Sequence, residues 1–383
     1  MTYFTETLAH DFGRTELFIG EGVLANAPLV ERLEPWLEGR TVFVLSTPRL
    51  RSLYGEGGRI TALDALLAKA RRRVELEVED GEGAKTVEHA GRLWQDMLDA
   101  GGKRDSRLIT FGGGTVGDLG GFVAGSFLRG IDYVQVPTTL LAQVDAAIGG
   151  KTGVDLPGGK NTVGLFHHPA YVLADTAVLS TLPRRERAAG LVEAIKKAAL
   201  LDVELLARIE RHLGVILDGD GEQLAPVIRA ATAAKCRVVE DDAREGGWRK
   251  ILNFGHTLAH AIEGVLGYRN LLHGEAVAYG LLFAVRLAER RTPTPELAEL
   301  GERLRGLLER MEFPALPPLD PGALMEFMGR DKKATERGLT WVLPVRAGHG
   351  EFVDTVDRDL VLSELEAFLN DPWAVPRVGM GVE

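Results

Sequence analysis

Through the first half of the chain, short runs rich in β-branched and aromatic residues alternate with longer stretches of helical spacing. TVFVLS (41–46), RVELEVE (73–79), RLITF (107–111), YVQVP (133–137) and YVLAD (171–175) read as strands. Between them, ALDALLAKARR (62–72) and TVEHAGRLWQDMLDAG (86–101) repeat apolar residues every three or four positions, which predicts helices. Strand alternating with helix implies a parallel sheet covered on both faces. Beyond about residue 180 the period is helical: 184–213, 224–243, 252–266, 274–291 and 296–311 all carry it. The pattern therefore predicts an α/β plus all-α chain. A Rossmann-like parallel-sheet domain occupies 1–179, a helical domain 180–370 and a loose tail 371–383. PALPPLDPG (314–322) reads as a connector between helices.

Composition narrows the class. The chain has 383 residues, which favours two cores over one. No apolar run reaches the roughly 18 residues a membrane span needs. The first residues lack a basic start followed by an apolar stretch, so no signal peptide is expected. One cysteine, Cys236, excludes an intrachain disulfide and fits a cytoplasmic protein. A net charge of −10 argues against a nucleic-acid partner. Of 45 cationic side chains only 11 are lysine, yet Lys151, Lys160, Lys196, Lys197, Lys235 and Lys250 fall within one hundred residues. A chain that otherwise uses arginine keeps lysine where a compact ammonium is needed, unless the grouping is chance.

Four segments carry candidate chemistry. FGGGTVGDLGG (111–121) follows a strand and opens a helix; Gly112, Gly114 and Gly117 fit G-x-G-x-x-G, a spacing that suits a pyrophosphate at a helix N-terminus. QVPTTLLAQVDAAIGGKTGVDLPGGKNTVG (135–164) sets Thr138, Thr139, Asp145, Lys151, Asp155, Lys160 and Asn161 among glycines beside a strand, which reads as an anion-binding loop. In GLVEAIKKAALL (190–201), Glu193 lies one turn from Lys196 and Lys197, as a surface ion pair would. NFGHTLAHAIEGVLGYRNLLHG (253–274) holds His256, His260 and His273. His256 and His260 share a helix face, but HTLAH lacks the glutamate of H-E-x-x-H. Spacing alone leaves 256 with 260, 256 with 273, or all three as metal ligands.

Taken together, GGGTVGDLGGFVAGSFLRG, VPTTLLAQVDAAIGGKTGVD, GGKNTVGLFHHP, LVEAIKKA, REGGWRKILNFGHTLAHAIE and LLHGEAVAYG resemble the motifs of 3-dehydroquinate synthases, in the family's order and over nearly the whole chain. The resemblance implies a Rossmann-like domain, a helical domain and an active site in the cleft between them, using NAD and a divalent metal, zinc or another such as cobalt. It implies conversion of 3-deoxy-D-arabino-heptulosonate 7-phosphate to 3-dehydroquinate and phosphate in the shikimate pathway. The steps are transient oxidation by NAD, phosphate elimination, reduction and an intramolecular aldol.

The metal ligands of the family fall on Glu193, His256 and His273, which leaves His260 to contact substrate. Lys151, Lys196, Lys235, Arg249, Asn253 and His260 match catalytic positions. Asp145, Lys160, Asn161 and one of Lys332 and Lys333 match substrate-binding positions. Asp80, Glu82, Lys85, Gly113, Gly114, Thr115, Asp118, Thr138, Thr139, Thr181 and Leu182 match the NAD site, shared with Asp145, Lys151 and Lys160. Arg129 resembles an arginine that reaches a neighbouring subunit's phosphate site, which implies a homodimer. One departure stands out: after the first strand the family often has an acid for the adenosine ribose, and here Ser46, Thr47 and Pro48 follow, so hydroxyls would have to take over. Two rivals share parts of this pattern: a sugar-phosphate cyclase of secondary metabolism, and a metal-dependent polyol dehydrogenase.

Overall fold

The computed structural model describes residues 3–54, 61–157, 159–267, 270–332 and 340–373. The chain packs as two compact units, 1–187 with 215–244, and 188–214 with 245–383.

The first unit is built on a seven-stranded sheet. Its strands are β1 (Tyr3–His10), β2 (Gly13–Gly20), β3 (Thr41–Ser46), β4 (Arg72–Glu77), β5 (Arg107–Gly112), β6 (Tyr133–Pro137) and β9 (Tyr171–Asp175), in the order β1-β2-β9-β6-β5-β3-β4. All neighbours run parallel except β1 with β2. The five strands expected from periodicity are present. The β1–β2 hairpin was not among them.

Successive side chains of a strand point to opposite faces, and the buried clusters follow that rule. Val42, Val44, Ile109, Phe111, Val134 and Val136 pack one face, with Leu29, Leu37, Leu63 and Leu66 from short helices. Phe43, Leu45, Leu108 and Tyr133 pack the other, against Leu93 and Met97 of the helix Val87–Asp99 and Val116, Leu119 and Val123 of the helix Gly114–Ser126. Burial on both faces is why these strands read as unbroken apolar runs.

A single cut at 179/180 does not describe this packing. The helix Gly221–Asp241 belongs to the first unit. Its Cys236 and Val239 pack with Leu8 of β1, Leu17 of β2, Val172 of β9, and Ala147 and Ile148. Periodicity reports that a helix has an apolar face, but not which sheet the face covers. The loop expected at 135–164 is also more ordered than its glycines suggest. Residues Ala142–Ala146 form a π-helical turn, and β7 (Lys151–Leu156) pairs antiparallel with β8 (Gly159–Phe166).

The second unit is mainly helical, as expected, but not wholly so. The helices His256–Val265, His273–Arg291, Pro295–Glu309, Pro321–Lys332 and Arg358–Asn370 accompany a hairpin of β10 (Trp341–Arg346) and β11 (His349–Val353). Gly348, at a φ of 78°, closes the hairpin, and its N–H donates to Ala199 O at 2.8 Å. The expected loose tail begins with ordered residues: Arg286 Nη1 donates to Asp371 O at 2.7 Å, and the Trp373 ring lies 6.0 Å from that of Tyr279. Residues 374–383 lie outside the described residues. Among the described residues, no helix is long and apolar enough to cross a membrane.

A candidate metal centre and a glycine-rich cradle

Three helical segments of the second unit converge on one point. Glu193 lies on the helix Arg184–Leu201, and His256 and His273 are the first residues of their helices. Two glycines allow the approach. A Cβ on Gly274 would lie 1.9 Å from Ala189 O, and one on Gly280 would lie 1.9 Å from Gly255 O. Any side chain at either position would wedge the helices apart. Gly255 itself sits at a φ of 79°, which a β-carbon disfavours.

The result is a compact donor set. His256 Nε2 and His273 Nε2 each lie 3.7 Å from Glu193 Oε1, and the ligating atoms of all three residues lie within 4.8 Å of one another. For comparison, nitrogen and oxygen ligands at about 2.0 Å from zinc stand about 3.3 Å apart at the corners of a tetrahedron. One carboxylate with two imidazoles suits zinc or a similar divalent ion and leaves coordination positions open. His260 is outside this set. Its exposed ring is 5.2 Å from that of His256 and 6.4 Å from that of His273, so it borders the centre.

The electrostatics separate the two imidazoles. Burial, reinforced by the Lys196 ammonium, holds His256 well below the ordinary histidine range, so it is neutral and able to donate a lone pair. Burial also acts to lower His273, but the carboxylates of Glu193 and Glu263 outweigh it and raise the ring to about 9. A metal ion held by His273 would compete with a proton for the ring nitrogen. Lys196 pairs directly with Glu193, and Lys197 Nζ stands 3.8 Å from the same carboxylate while donating to Glu193 O at 3.1 Å.

Glu263 and Lys197 carry parts of this site that the motif reading left without a role. Glu263, 6% exposed, faces His273 Nδ1 at 3.3 Å and so orients that ring from behind. Its position seven residues after His256, on the same helix face, is a signal that periodicity could have supplied.

The first unit holds a different arrangement. Gly113 caps the helix Gly114–Ser126 at the end of β5. The glycines here serve packing first. A Cβ on Gly112 would lie 2.5 Å from Val116 Cβ, one on Gly117 2.7 Å from Gln135 Oε1, one on Gly120 2.3 Å from Thr110 Cγ2, and one on Gly121 2.4 Å from Thr152 Cγ2. The helix therefore lies close on the sheet, with its N-terminus at the strand ends, where unpaired N–H groups attract an anion. Gly113 faces Thr139, and Thr138 N donates to Gly112 O at 2.9 Å.

Around this cradle the polar residues neutralise one another. Lys85 bridges Asp118, at 2.7 Å, and Asn161. Lys160 lies 3.7 Å from Glu82, which accepts from Thr115 Oγ1 at 2.9 Å. Asn161 N donates to Asp155 Oδ1 at 2.7 Å. Burial works against the Lys85 ammonium, but Asp118 and Glu82 outweigh it and hold it above the usual lysine range. Burial raises Asp118 despite that partner. Lys235, from the helix Gly221–Asp241, meets Asp145 Oδ1 at 3.0 Å.

Other expected residues stand outside these clusters. Asp80 is exposed. Thr181 hydrogen-bonds to Tyr54 Oη, and Leu182 N donates to Leu179 O at 3.1 Å. Lys151 is exposed at the start of β7. Arg249 is buried, and Asn253 Nδ2 donates to Glu245 Oε1 at 3.2 Å. Arg129 is exposed in a left-handed turn, with φ of 51° at Leu128 and 72° at Arg129, strain that non-glycine residues keep mostly at functional positions. Lys332 ends the helix Pro321–Lys332, and Lys333 lies outside the described residues. At the end of β3, Ser46 is buried and its hydroxyl donates to Phe111 O at 2.9 Å, while Thr47 Oγ1 accepts from Leu50 N. Both hydroxyls thus serve the backbone. The crevice beside them is lined by Pro48, Glu77, Val78, Glu79, Glu88, His89 and Arg92.

Comparison with known proteins places the chain in a family. The model of the 3-dehydroquinate synthase N-terminal domain matches residues 75–189, and that of the 3-dehydroquinate synthase C-terminal domain matches 190–334. The chain belongs to the 3-dehydroquinate synthase family. A 3-dehydroquinate synthase of Symbiobacterium thermophilum is 43% identical over 357 residues, covering 92% of this chain and 98% of that one. Among solved structures, a 2-deoxy-scyllo-inosose synthase complexed with carbaglucose-6-phosphate, NAD+ and Co2+ is 27% identical, with a TM-score of 0.82 over 95% of this chain and 99% of that one. A 2-epi-5-epi-valiolone synthase from Streptomyces hygroscopicus with NAD+ and Zn2+ bound is also 27% identical, with a TM-score of 0.82 over 93% and 96% of the two chains. The 3-dehydroquinate synthase family thus includes this chain, while cyclases of other sugar phosphates share its fold at lower identity.

Proposed function

We propose that the protein converts 3-deoxy-D-arabino-heptulosonate 7-phosphate to 3-dehydroquinate and phosphate, with NAD and a divalent metal as resident cofactors. The observation that carries the reading is the Glu193–His256–His273 donor set, together with membership of the family. NAD and Co2+ or Zn2+ in the related cyclases support the cofactors, and the glycine cradle fits a dinucleotide's pyrophosphate. Higher identity to 3-dehydroquinate synthases than to the inosose and valiolone synthases favours this substrate over its relatives.

When bound, NAD supplies a reversible hydride acceptor and the metal a Lewis acid. The chain's own residues bind, orient and compensate charge. Glu193, His256 and His273 would hold the metal, and His260 borders it on the side left to substrate. Lys151, Lys160, Lys196, Lys235 and Arg249, with one of Lys332 and Lys333, answer the phosphate and carboxylate. A guanidinium or ammonium beside the departing phosphate lowers the barrier by stabilising its charge. Asp80, Glu82, Lys85, Gly113, Gly114, Thr115, Asp118, Thr138, Thr139, Thr181 and Leu182 serve the dinucleotide. Glu79 in the crevice beside Pro48 supplies the acid that the end of β3 lacks. The transient oxidation that NAD would supply acidifies a C–H so that phosphate could leave, and NAD used catalytically would be regenerated in each turnover. The test supplies catalytic NAD with the heptulosonate phosphate and follows inorganic phosphate and NADH absorbance together. Many phosphates per NAD with no lasting NADH are expected. NADH accumulating one-for-one with product would overturn the reading in favour of a polyol dehydrogenase, and phosphate release only from sedoheptulose 7-phosphate would favour a secondary-metabolism cyclase.

The assembly is a homodimer in which Arg129 completes the phosphate site of the partner, and the location is the cytoplasm. The exposed left-handed turn at Leu128 and Arg129 supports the first point. A single buried Cys236, its thiol pushed up to about 12 by burial, agrees with the second. Mixing an Arg129→Ala chain with a Lys196→Ala chain should restore part of the activity that each lacks alone. No rescue in proven heterodimers would overturn donation across subunits.

A further inference from the structure

Lys151 is exposed and follows two glycines, Gly149 and Gly150, at φ of 95° and 67°. Two left-handed glycines in succession form a mobile hinge unless something holds them. His168 does so. A Cβ on Gly150 would lie 2.6 Å from His168 Cδ2, so the imidazole occupies the space beside the Gly150 Cα. The turn is also tied by His167 N, which donates to Gly150 O at 2.8 Å.

The segment carrying His168 is itself anchored on both sides. Tyr133 Oη donates to His167 O at 2.9 Å, and Thr15 Oγ1 donates to Pro169 O at 2.6 Å from a buried position on β2. Behind His168, the His10 ring stacks at a centroid distance of 3.9 Å and an interplanar angle of 10°. His10 Nδ1 accepts from Phe12 N at 3.3 Å, which fixes that ring at the turn between β1 and β2. A chain of contacts therefore runs from the sheet edge through two imidazoles to the residue before Lys151. The family motifs FHHP and IGGK meet here, and the active-site reading gives neither His168 nor His10 a role.

We propose that His168, backed by His10, is a positioning residue that holds the Gly149–Gly150 turn and so aims the Lys151 ammonium at the substrate. The proposal rests on the substrate role given to Lys151 above. Replacing His168 with Ala opens a gap beside Gly150, and the turn gains freedom that Lys151 inherits. Misplacement of a binding group by about 1 Å costs about 100-fold, so a loss of about 10- to 100-fold in kcat/KM is expected. His168→Phe keeps a ring against Gly150 and His10 and should recover most of it.

The experiment measures kcat/KM for wild type, His168→Ala, His168→Phe, Lys151→Ala and the Lys151→Ala/His168→Ala double variant, each with its metal content. It adds the rate of lysyl-endoprotease cleavage after Lys151 in folded protein. If His168 acts through Lys151, the double variant is no worse than Lys151→Ala alone, cleavage after Lys151 accelerates in His168→Ala, and Phe reverses both effects. Losses that multiply in the double variant, or full activity in His168→Ala, would overturn the positioning role while leaving Lys151 in place. Full activity in Lys151→Ala would instead overturn the substrate role of Lys151, and this proposal with it.

Discussion

In the second unit, three donor groups come together because backbone meets backbone at Gly274 and Gly280. In the first unit, lysines and carboxylates from different elements meet as side-chain pairs, Lys85 with Asp118, Lys160 with Glu82, and Lys235 with Asp145. The first device sets donor positions through rigid helices, so a ligand finds a shaped site. The second stores charge in pairs that an anionic ligand can reorganise, because each cation already has a partner to leave. The lysines of the Lys85–Asp118 and Lys235–Asp145 pairs are buried and so carry a desolvation cost that the pairing only offsets, whereas Lys160 and Glu82 are partly exposed and their pair adds little stability. The preformed centre should therefore respond to mutation all or none, and the paired cradle by degrees.

The largest effects are expected at the preformed centre. Replacing Glu193, His256 or His273 with Ala should strip the metal and reduce turnover by at least about 1,000-fold, since metal affinity and substrate activation fail together. His260→Ala should retain the metal while slowing turnover. Metal content by elemental analysis, set beside kcat, separates the two classes. A metal-free His260→Ala together with a metal-loaded His273→Ala would reverse the ligand assignment.

Next in size are the glycines. Gly280→Ala forces a β-carbon to 1.9 Å from the Gly255 carbonyl oxygen, which backbone must move to relieve. A loss of about 3 kcal/mol in stability is expected, with weakened metal binding. Gly113→Ala brings its β-carbon to 3.0 Å from Thr139 Cγ2, the end of a side chain that can turn away. It should leave stability within about 1 kcal/mol of wild type and act on NAD affinity instead. Chemical denaturation and NAD titration of both variants compare the two devices directly. Equal stability losses would remove the distinction drawn between them.

How far the sequence carries depends on which force decides each feature. The strands β3, β5, β6 and β9 were legible because burial on both faces writes an apolar run into the chain. The hairpin of β7 and β8 was not, because its glycines and lysines look like a loop; its pairing comes from packing under the helix Gly114–Ser126, where Gly121 meets Thr152. The attachment of helix Gly221–Asp241 to the first unit escaped for a related reason: an apolar stripe names no partner. In the metal centre, spacing could not choose among three histidines, and the resemblance chose a set whose donor atoms do converge. Glu263 and Lys197 went without a role because a buried carboxylate or ammonium on a helix reads as surface charge until its neighbours are known.

The smallest expected effect tests whether burial alone, without a partner, makes a carboxylate unusual. Glu193 is buried with Lys196 and Lys197 at hand. Glu289, on the helix His273–Arg291, is buried differently. Its side chain meets the helix Pro295–Glu309 so closely that a Cβ on Gly301 would lie 2.4 Å from Glu289 Oε1, and among the described residues its Oε2 has no hydrogen-bond partner. Arg286, close by, gives its Nε to Glu364 Oε1 at 2.6 Å. Burial raises the Glu289 carboxyl to about 7, with Arg305 and Arg286 opposing it only in part. The folded value thus exceeds the unfolded one, so the folded chain binds this proton more tightly. The contribution to stability is complete below about pH 4.5 and is lost as pH rises through about 7. Glu289→Gln keeps the shape and removes the titration. It should change stability little at pH 5 and raise it relative to wild type by about 2 kcal/mol at pH 8.5. Urea unfolding midpoints at the two pH values measure this, and an equal change at both would show that the carboxylate is compensated in the folded chain as Glu193 is.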